Sequence, residues 1–308
     1  MTKRADVWAK EALQGAARIR LLTLEQCLRA GGGYLTQACS SAELLATLYG
    51  HLMQLAPSTG PTLPDRFEGP PGPGSQSANG GRYHGGRVAD RDRFILSPSH
   101  YAMALYAALI TSGRLAEETL AEFNTDGSSV EMIGGEHSPG CELTTGSFGQ
   151  ALSQAAGVAL ARRRRGETGL TWVLLSDGEM EEGQTWEAAQ FMAFYGLTEV
   201  RIVVDVNGQQ VDGRTADVMN VEPLHERFAA FGLDVRRVDG HDPRAIAAAF
   251  EDVADRPVVV IADTDPTRGF PLLQRRWPKL HYVRFGDDDE RAAFQEEAAR
   301  MRKELSVR

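Results

Sequence analysis

An acid and an amide are the side chains best placed by type and setting to hold an ion. Asp177-Gly178 follows the apolar run Thr171-Trp172-Val173-Leu174-Leu175, and Asn207-Gly208 follows Arg201-Ile202-Val203-Val204-Asp205. Each run has the length and composition of a buried parallel strand. Ligands of open α/β sheets bind beyond the carboxyl ends of the strands, so if these two strands are neighbours a carboxylate and a carboxamide converge there. Such a pair suits Mg²⁺, which takes oxygen ligands octahedrally and usually keeps phosphate oxygens and water in its shell. A backbone carbonyl near Gln209 would add a third protein oxygen. Gly178 lets the chain pass close to a phosphate, and the segment after it contributes backbone N–H groups. Asp-Gly and Asn-Gly are also ordinary turn dipeptides, so neither carries the assignment alone.

The elements that must position these groups alternate along the chain. A helix is expected over residues 5–30, with Trp8, Leu13, Ile19 or Arg20, and Leu24 on its buried side, stopped by Gly31-Gly32-Gly33. Ser40-Ser41-Ala42-Glu43 reads as the capped start of a second helix reaching about Gln54. Phe94-Ile95-Leu96 reads as a strand leading to His100 and a helix through Ile110. Residues 146–165 form a small-residue-rich helix, and Glu179 to Tyr195 has helical spacing, with Met180, Trp186, Ala189 and Met192 or Ala193 on one side. Helices at 224–231 and 243–253 flank a strand at 233–238, and Val258 to Ala262 is another buried-type strand. An amphipathic helix runs from Asp287–Glu290 to about Leu305. The alternation predicts an α/β fold, a mainly parallel sheet with helices on both faces. One domain is expected over residues 1–308, interrupted at about 57–91 by a Gly- and Pro-rich insertion that includes Pro70, Pro71, Gly72, Pro73, Ser75 and Asn79. Such a stretch is expected to be loop, and its Tyr83-His84 pair to be solvated.

Composition narrows the partners. The chain has 308 residues, 42% hydrophobic and 24% charged, as in an ordinary globular protein. A formal charge of −9 argues against a nucleic-acid surface. The basic run Arg162 to Arg165 reads as a solvated helix end complementing the dipole. Cys27, Cys39 and Cys141 have no metal-like spacing and are odd in number, which fits reduced thiols in a cytoplasm. No apolar run is long enough to span a membrane, and no signal-peptide core follows Met1.

The full pattern resembles a known family. Asp-Gly-Glu-x-x-Glu-Gly-x-x-Trp-Glu-Ala-Ala at 177–189, followed by Asp205-x-Asn207-Gly208-x-x-x-Asp212-Gly213, is similar to the thiamine diphosphate motif of transketolases, above all the amino-terminal subunit of split, two-chain transketolases. Pro139-Gly140-Cys141-Glu142-Leu143-Thr144-Thr145-Gly146-Ser147-Phe148-Gly149-Gln150 resembles the family's segment beside the cofactor's aminopyrimidine, which nominates Gly146 and Phe148. Arg93 to His100 resembles its diphosphate-contacting histidine segment, and His281 matches a late histidine that reaches the diphosphate. His137 matches, at shorter spacing, a histidine that precedes the Pro-Gly segment.

The resemblance implies a thiamine diphosphate-binding fold in which Asp177, Asn207 and Gln209 hold Mg²⁺. His100, Gly146, Phe148, Gly178, Glu182 and His281 would line the cofactor, with His100, His281, Glu182 and His137 as catalytic candidates. It implies transfer of a two-carbon ketol unit from a ketose or ketose phosphate to an aldehyde or other acceptor. The family's activating glutamate belongs to a pyrimidine-binding domain absent from these residues. Glu182 matches instead the helper glutamate that meets it across an interface. A second subunit is therefore expected, in a heterotetramer active only when assembled. Three departures stand out: Tyr34 where the family has a substrate-contacting histidine, Ser176 for a glycine, and Asp263 to Phe270 without the family's Lys-Gly-x-Gly loop. They keep open a 2-oxo acid dehydrogenase or carboligase subunit, or a scaffold subunit without catalysis.

Overall fold

The computed structural model describes residues 2–67, 69, 80–211 and 213–306, with side chains from residue 7 onward. The Pro-Gly run at 70–79 and Asp212 lie outside the described residues. In chain order the elements are α1 (Thr2–Ala30), β1 (Gly32–Gly33), α2 (Leu35–Thr47), β2 (Arg93–Leu96), α3 (Ala102–Thr111), α4 (Gln150–Arg164), β3 (Thr171–Ser176), α5 (Gly183–Tyr195) and β4 (Val200–Val206). There follow β5 (Gln209–Gln210), β6 (Gly213–Arg214), α6 (Thr215–Val218), α7 (Leu224–Ala230), β7 (Asp234–Asp239), α8 (Pro243–Ala248), β8 (Val258–Asp263), β9 (Val283–Arg284) and α9 (Asp288–Ser306).

A five-stranded sheet in the order β2-β3-β4-β8-β7, parallel throughout, organises the molecule. Its inner strands β3, β4 and β8 are mostly apolar on both faces because side chains alternate and both faces are covered, whereas the edge strand β7 is polar and partly exposed. Phe94, Leu96, Trp172, Leu174 and Val203 point into one core with α1, α2 and α3. Ile95, Val173, Leu175, Ile202 and Val204 point into the other with α4, α5 and α7. Each such side chain taken fully out of water contributes about 1.5–3 kcal/mol. A third cluster joins Leu24 and Leu35 to Phe270, Val283 and Phe294, so α9 closes against α1.

Several local expectations change. The second helix starts at Leu35, not at Ser40, and passes after Thr47 into a π turn at Leu48–Leu52. Ser40 and Ser41 are inside it, and the Ser41 hydroxyl bonds back to the Gln37 carbonyl, so neither is a cap. Leu13 is exposed, on the outer side of α1. The small-residue helix begins only at Gln150, and Asp177–Glu181 is a separate 3₁₀ turn ahead of α5. α8 stops at Ala248. Arg162 is buried rather than solvated: it bonds Glu167 and the carbonyls of Leu170, Ala89 and Arg91, stitching α4 to the chain before β2.

The insertion also differs from expectation. Its end, Gly80–His84, is a 3₁₀ turn with Tyr83 and His84 buried. His84 bridges the Tyr49 hydroxyl at 2.7 Å and the Glu142 carboxylate at 2.8 Å. Glu142 also accepts from Arg93 and from the Phe94 amide, and these partners hold its carboxyl below the usual range despite burial. A buried carboxylate organised by this many donors excludes a solvated histidine. Replacing His84 by Ala strands two buried polar groups, and unfolding in urea is expected to show a loss of about 3 kcal/mol.

Candidate active site

The carboxyl ends of β3 and β4 bring the acid and the amide together. Ser176 is in register with Asp205, which carries Asp177 and Asn207 past adjacent strand ends. Asp177 accepts from the Gly178 amide at 2.9 Å, the Gly208 amide at 2.9 Å and the Thr215 hydroxyl at 3.1 Å. Gly208 has φ +66°, a left-handed turn favouring glycine, and that turn presents its N–H to Asp177. The Asn207 amide nitrogen donates to the Tyr101 hydroxyl at 3.0 Å and to Asp205 at 3.4 Å, while its oxygen accepts from the Gln209 amide at 2.9 Å.

Asp177 and Asp205 are both buried, and among the described residues neither forms an ion pair with Lys, Arg or His. Burial, then the Asp205 charge, pushes the Asp177 carboxyl up to about 7. Burial also raises Asp205, against the donors around it. Two buried acids with no internal cation form a site suited to a metal ion. Gln209 and Gln210, which open the hairpin β5–β6 beside them, each carry a buried side-chain oxygen without a hydrogen-bond partner among the described residues. Among the described residues no three His, Cys, Asp or Glu side chains group as a metal site. A cation here therefore needs amide, carbonyl and phosphate oxygens to fill its shell, as Mg²⁺ does. The residues present fit that group.

A second cluster forms one wall of the site. His100, in a 3₁₀ turn after β2, lies 5.1 Å from His281 between ring centroids. Tyr34, between β1 and α2, lies 5.2 Å from His100, 5.3 Å from His281 and 5.0 Å from Tyr282. Phe148 is 5.9 Å from His100, and a Cβ on Gly146 would stand 3.3 Å from the Ser99 hydroxyl. The ladder β1–β9 sets this wall. A Cβ on Gly32 would stand 2.7 Å from the Val283 carbonyl and 3.1 Å from the Tyr282 ring, so only glycine allows the approach. The Gln37 amide fixes the His281 carbonyl at 3.1 Å. The side chains of Tyr34, His100 and His281 make no hydrogen bond among the described residues, which leaves polar groups for a ligand.

Burial, then the His281 charge, lowers His100 to about 3, and burial lowers His281. Both imidazoles are therefore neutral at physiological pH, each offering one donor and one acceptor.

Other expected residues stand apart. His137 bonds Glu131 at 2.9 Å and stacks on Phe67, with ring centroids 4.1 Å apart, a setting distinct from the His100 wall. Glu182 is exposed at the start of α5, with no hydrogen bond on its side chain among the described residues. Sequence reasoning missed Asp205, an acid ending an apolar strand, which was the available signal. It also missed Ser40, Tyr101, Thr215 and Thr264, for which spacing offers none. Glu179, buried and pushed up to about 7, caps its own turn through the Ser176 amide and accepts from Ser97.

A doubly covered parallel sheet with an acid–amide pair at its strand ends is an α/β fold with a candidate site at its carboxyl edge. Residues 84–297 match the family described as transketolase, thiamine diphosphate binding domain. The chain is 37% identical over 274 residues to transketolase family protein y4mO of Sinorhizobium fredii, covering 87% of this chain and 88% of that one. It is 32% identical to the 6-deoxy-6-sulfo-D-fructose transketolase subunit SqwG of a Clostridium species, covering 82% and 83%. A crystal structure of transketolase from Campylobacter jejuni superposes with TM-score 0.71 at 20% identity, over 97% of this chain and 48% of that one. The chain thus spans about half of that transketolase and, at 30% identity, 39% of the human enzyme. The chain belongs to the transketolase family and carries its thiamine diphosphate-binding domain. Its cofactor is thiamine diphosphate, and its relatives are named as transketolases, which are transferases.

The histidine wall has a thermodynamic signature. A histidine whose folded pKa is depressed binds its proton in the unfolded chain first, so stability falls as pH drops from about 6.5 toward 3. Between pH 6.5 and 5, His100 is expected to account for at most about 2 kcal/mol of that fall. Thermal unfolding of His100→Asn across this window is expected to show a correspondingly flatter acid limb than the parent chain.

Proposed function

We propose that this chain is the cofactor-anchoring half of a two-chain, transketolase-like enzyme. It transfers a two-carbon ketol unit from a ketose donor to an aldehyde acceptor. The carrying observation is the convergence of Asp177 and Asn207 on a buried, uncompensated acidic site beside Gln209. Those residues would hold Mg²⁺ and, through it, the diphosphate. Bound thiamine diphosphate supplies a carbanion that adds to a carbonyl and a ring that stores the resulting charge. The chain's own part is to anchor and orient. Neutral His100 and His281 offer hydrogen bonds without repelling the metal. Gly146 and Phe148 flank the same wall. Tyr34 stands where a substrate hydroxyl or carbonyl would reach, and donates as a neutral phenol because burial raises its pKa. His137, held by Glu131 and Phe67, is the weakest of the catalytic candidates.

The half-site reading rests on Glu182 and on the relatives. Glu182 is exposed and makes no side-chain hydrogen bond among the described residues, as expected of a carboxylate completed by another chain. Relatives of similar length are named as single subunits of transketolases. Besides the Clostridium protein they include an apulose-4-phosphate transketolase subunit of Actinobacillus succinogenes, 34% identical over 206 residues. A second subunit would bring the pyrimidine-binding domain and its activating glutamate, in a cytoplasmic heterotetramer with two shared sites. Sugars with an anionic end, as in those relatives' names, are the substrate class this reading favours.

Calorimetry of thiamine diphosphate with Mg²⁺ is expected to show metal-dependent binding that Asp177→Ala removes. Binding unaffected by that change would overturn the site. Two-carbon transfer assayed with the pure chain is expected to be absent, and to appear on adding the pyrimidine-binding subunit. Full turnover from the single chain would overturn the half-site reading.

A further inference from the structure

Asp205 has no ligand role in the site described above, yet more of the site converges on it than on any ligand. It is completely buried at the end of β4. Four side chains donate to it: Ser40 at 2.6 Å, Tyr101 at 2.8 Å, Asn207 at 3.4 Å and Thr264. They come from α2, the turn that carries His100, the turn after β4, and the loop after β8. Three of the four are uncharged hydroxyls.

We propose that Asp205 is a positioning residue: it fixes the orientation of the Asn207 amide and so sets the geometry, and the ion-size preference, of the metal site. This rests on the metal reading of Asp177 and Asn207. A carboxylate only accepts hydrogen bonds, so the Asn207 group facing Asp205 must be the amide nitrogen. The Tyr101 hydroxyl already donates to Asp205, so its remaining lone pair receives the second Asn207 N–H. With both N–H bonds committed, the amide cannot flip or swing without stranding buried donors. Its oxygen then lies on the Gln209 side, with one lone pair on the Gln209 amide and the other free for a cation. Ser40 and Thr264 hold the carboxylate itself, so α2 and the loop after β8 set the amide from a distance.

Ion-size preference follows from rigidity. Mg²⁺ demands near-ideal octahedral geometry with bonds of about 2.0–2.1 Å, whereas Ca²⁺ accepts irregular shells at about 2.3–2.6 Å. A pinned amide favours the smaller ion, and a loosened one gives up that advantage. Partners behind a metal ligand typically govern about 10–100-fold in metal affinity.

Mg²⁺ and Ca²⁺ are titrated by calorimetry into the full chain with saturating thiamine diphosphate. The variants are Asp205→Asn, Ser40→Ala and Thr264→Val, each checked for folding by circular dichroism and thermal melting. Asp205→Asn is expected to weaken Mg²⁺ binding at least about tenfold. Ser40→Ala and Thr264→Val change no charge, and are expected to lower the Mg²⁺-over-Ca²⁺ affinity ratio several-fold. A role in folding alone would move the melting temperature and leave that ratio as in the parent. A purely electrostatic role would weaken both ions equally in Asp205→Asn and spare the hydroxyl variants. An unchanged ratio in folded hydroxyl variants overturns the proposal. Asp177→Ala separates the two readings: if it still binds Mg²⁺ as the parent does, or if the parent binds neither ion, the metal site itself is wrong.

Discussion

Two buried carboxylates at the ends of neighbouring strands, with no internal cation to answer them, are the constraint on which this structure turns. Taking an acid out of water is costly unless it is neutralised, paired or hydrogen-bonded. Asp205 meets the cost with four donors and Asp177 with three. Neither set carries positive charge, and burial, then the Asp205 charge, pushes Asp177 up to about 7. A divalent ion with a diphosphate relieves that tension in a way no further hydrogen bond does. The fold keeps two acids where its own core would prefer none, as binding sites commonly do.

The neighbouring wall handles polarity the opposite way. His100, His281 and Tyr34 are gathered by a two-residue ladder and a short turn; burial keeps the two imidazoles neutral, and the phenol is neutral in any case. A pocket for a metal diphosphate thus has its charge concentrated at the strand ends. Its lateral surface offers uncharged donors and acceptors. Tyr34 and Tyr282 thicken that surface, and the Arg284 guanidinium over the Tyr282 ring at 4.5 Å stiffens its rim. Tyr34, one of the three departures from the family's pattern, lies in this wall.

Support for the site reaches into segments that look unrelated to it. The ordered end of the insertion plugs His84 between Tyr49 and Glu142, and Glu142 in turn holds Arg93 and the Phe94 amide at the start of the strand that leads to His100. Thr145, three residues on, bonds the Leu96 carbonyl at the other end of that strand. On the far side, Glu43 joins Arg20 and His241, whose ring accepts the Asp265 amide, next to the Thr264 that reaches Asp205. Helix, insertion and loop therefore bear on one strand-end region through buried polar chains, where each member lost leaves another stranded.

Residue order by itself determined the architecture and the meeting of the acid with the amide. Apolar runs of strand length between helical stretches allow few arrangements, and an acid and an amide just past two such runs must meet if the strands are adjacent. Motif spacing likewise nominated His100, His281, Gly146 and Phe148, which the fold gathers at one end of the sheet. Only the tertiary structure decided what stands behind them. Ser40 looks like a helix cap, His84 like a loop residue and Arg162 like a solvated helix end, because each type does favour that local role. Long-range partners override the local preference: Asp205 lies 165 positions from Ser40, and Glu142 lies 58 from His84. A buried acid recruits donors by proximity in space, and proximity between distant segments is a property of the folded chain that no spacing along it encodes.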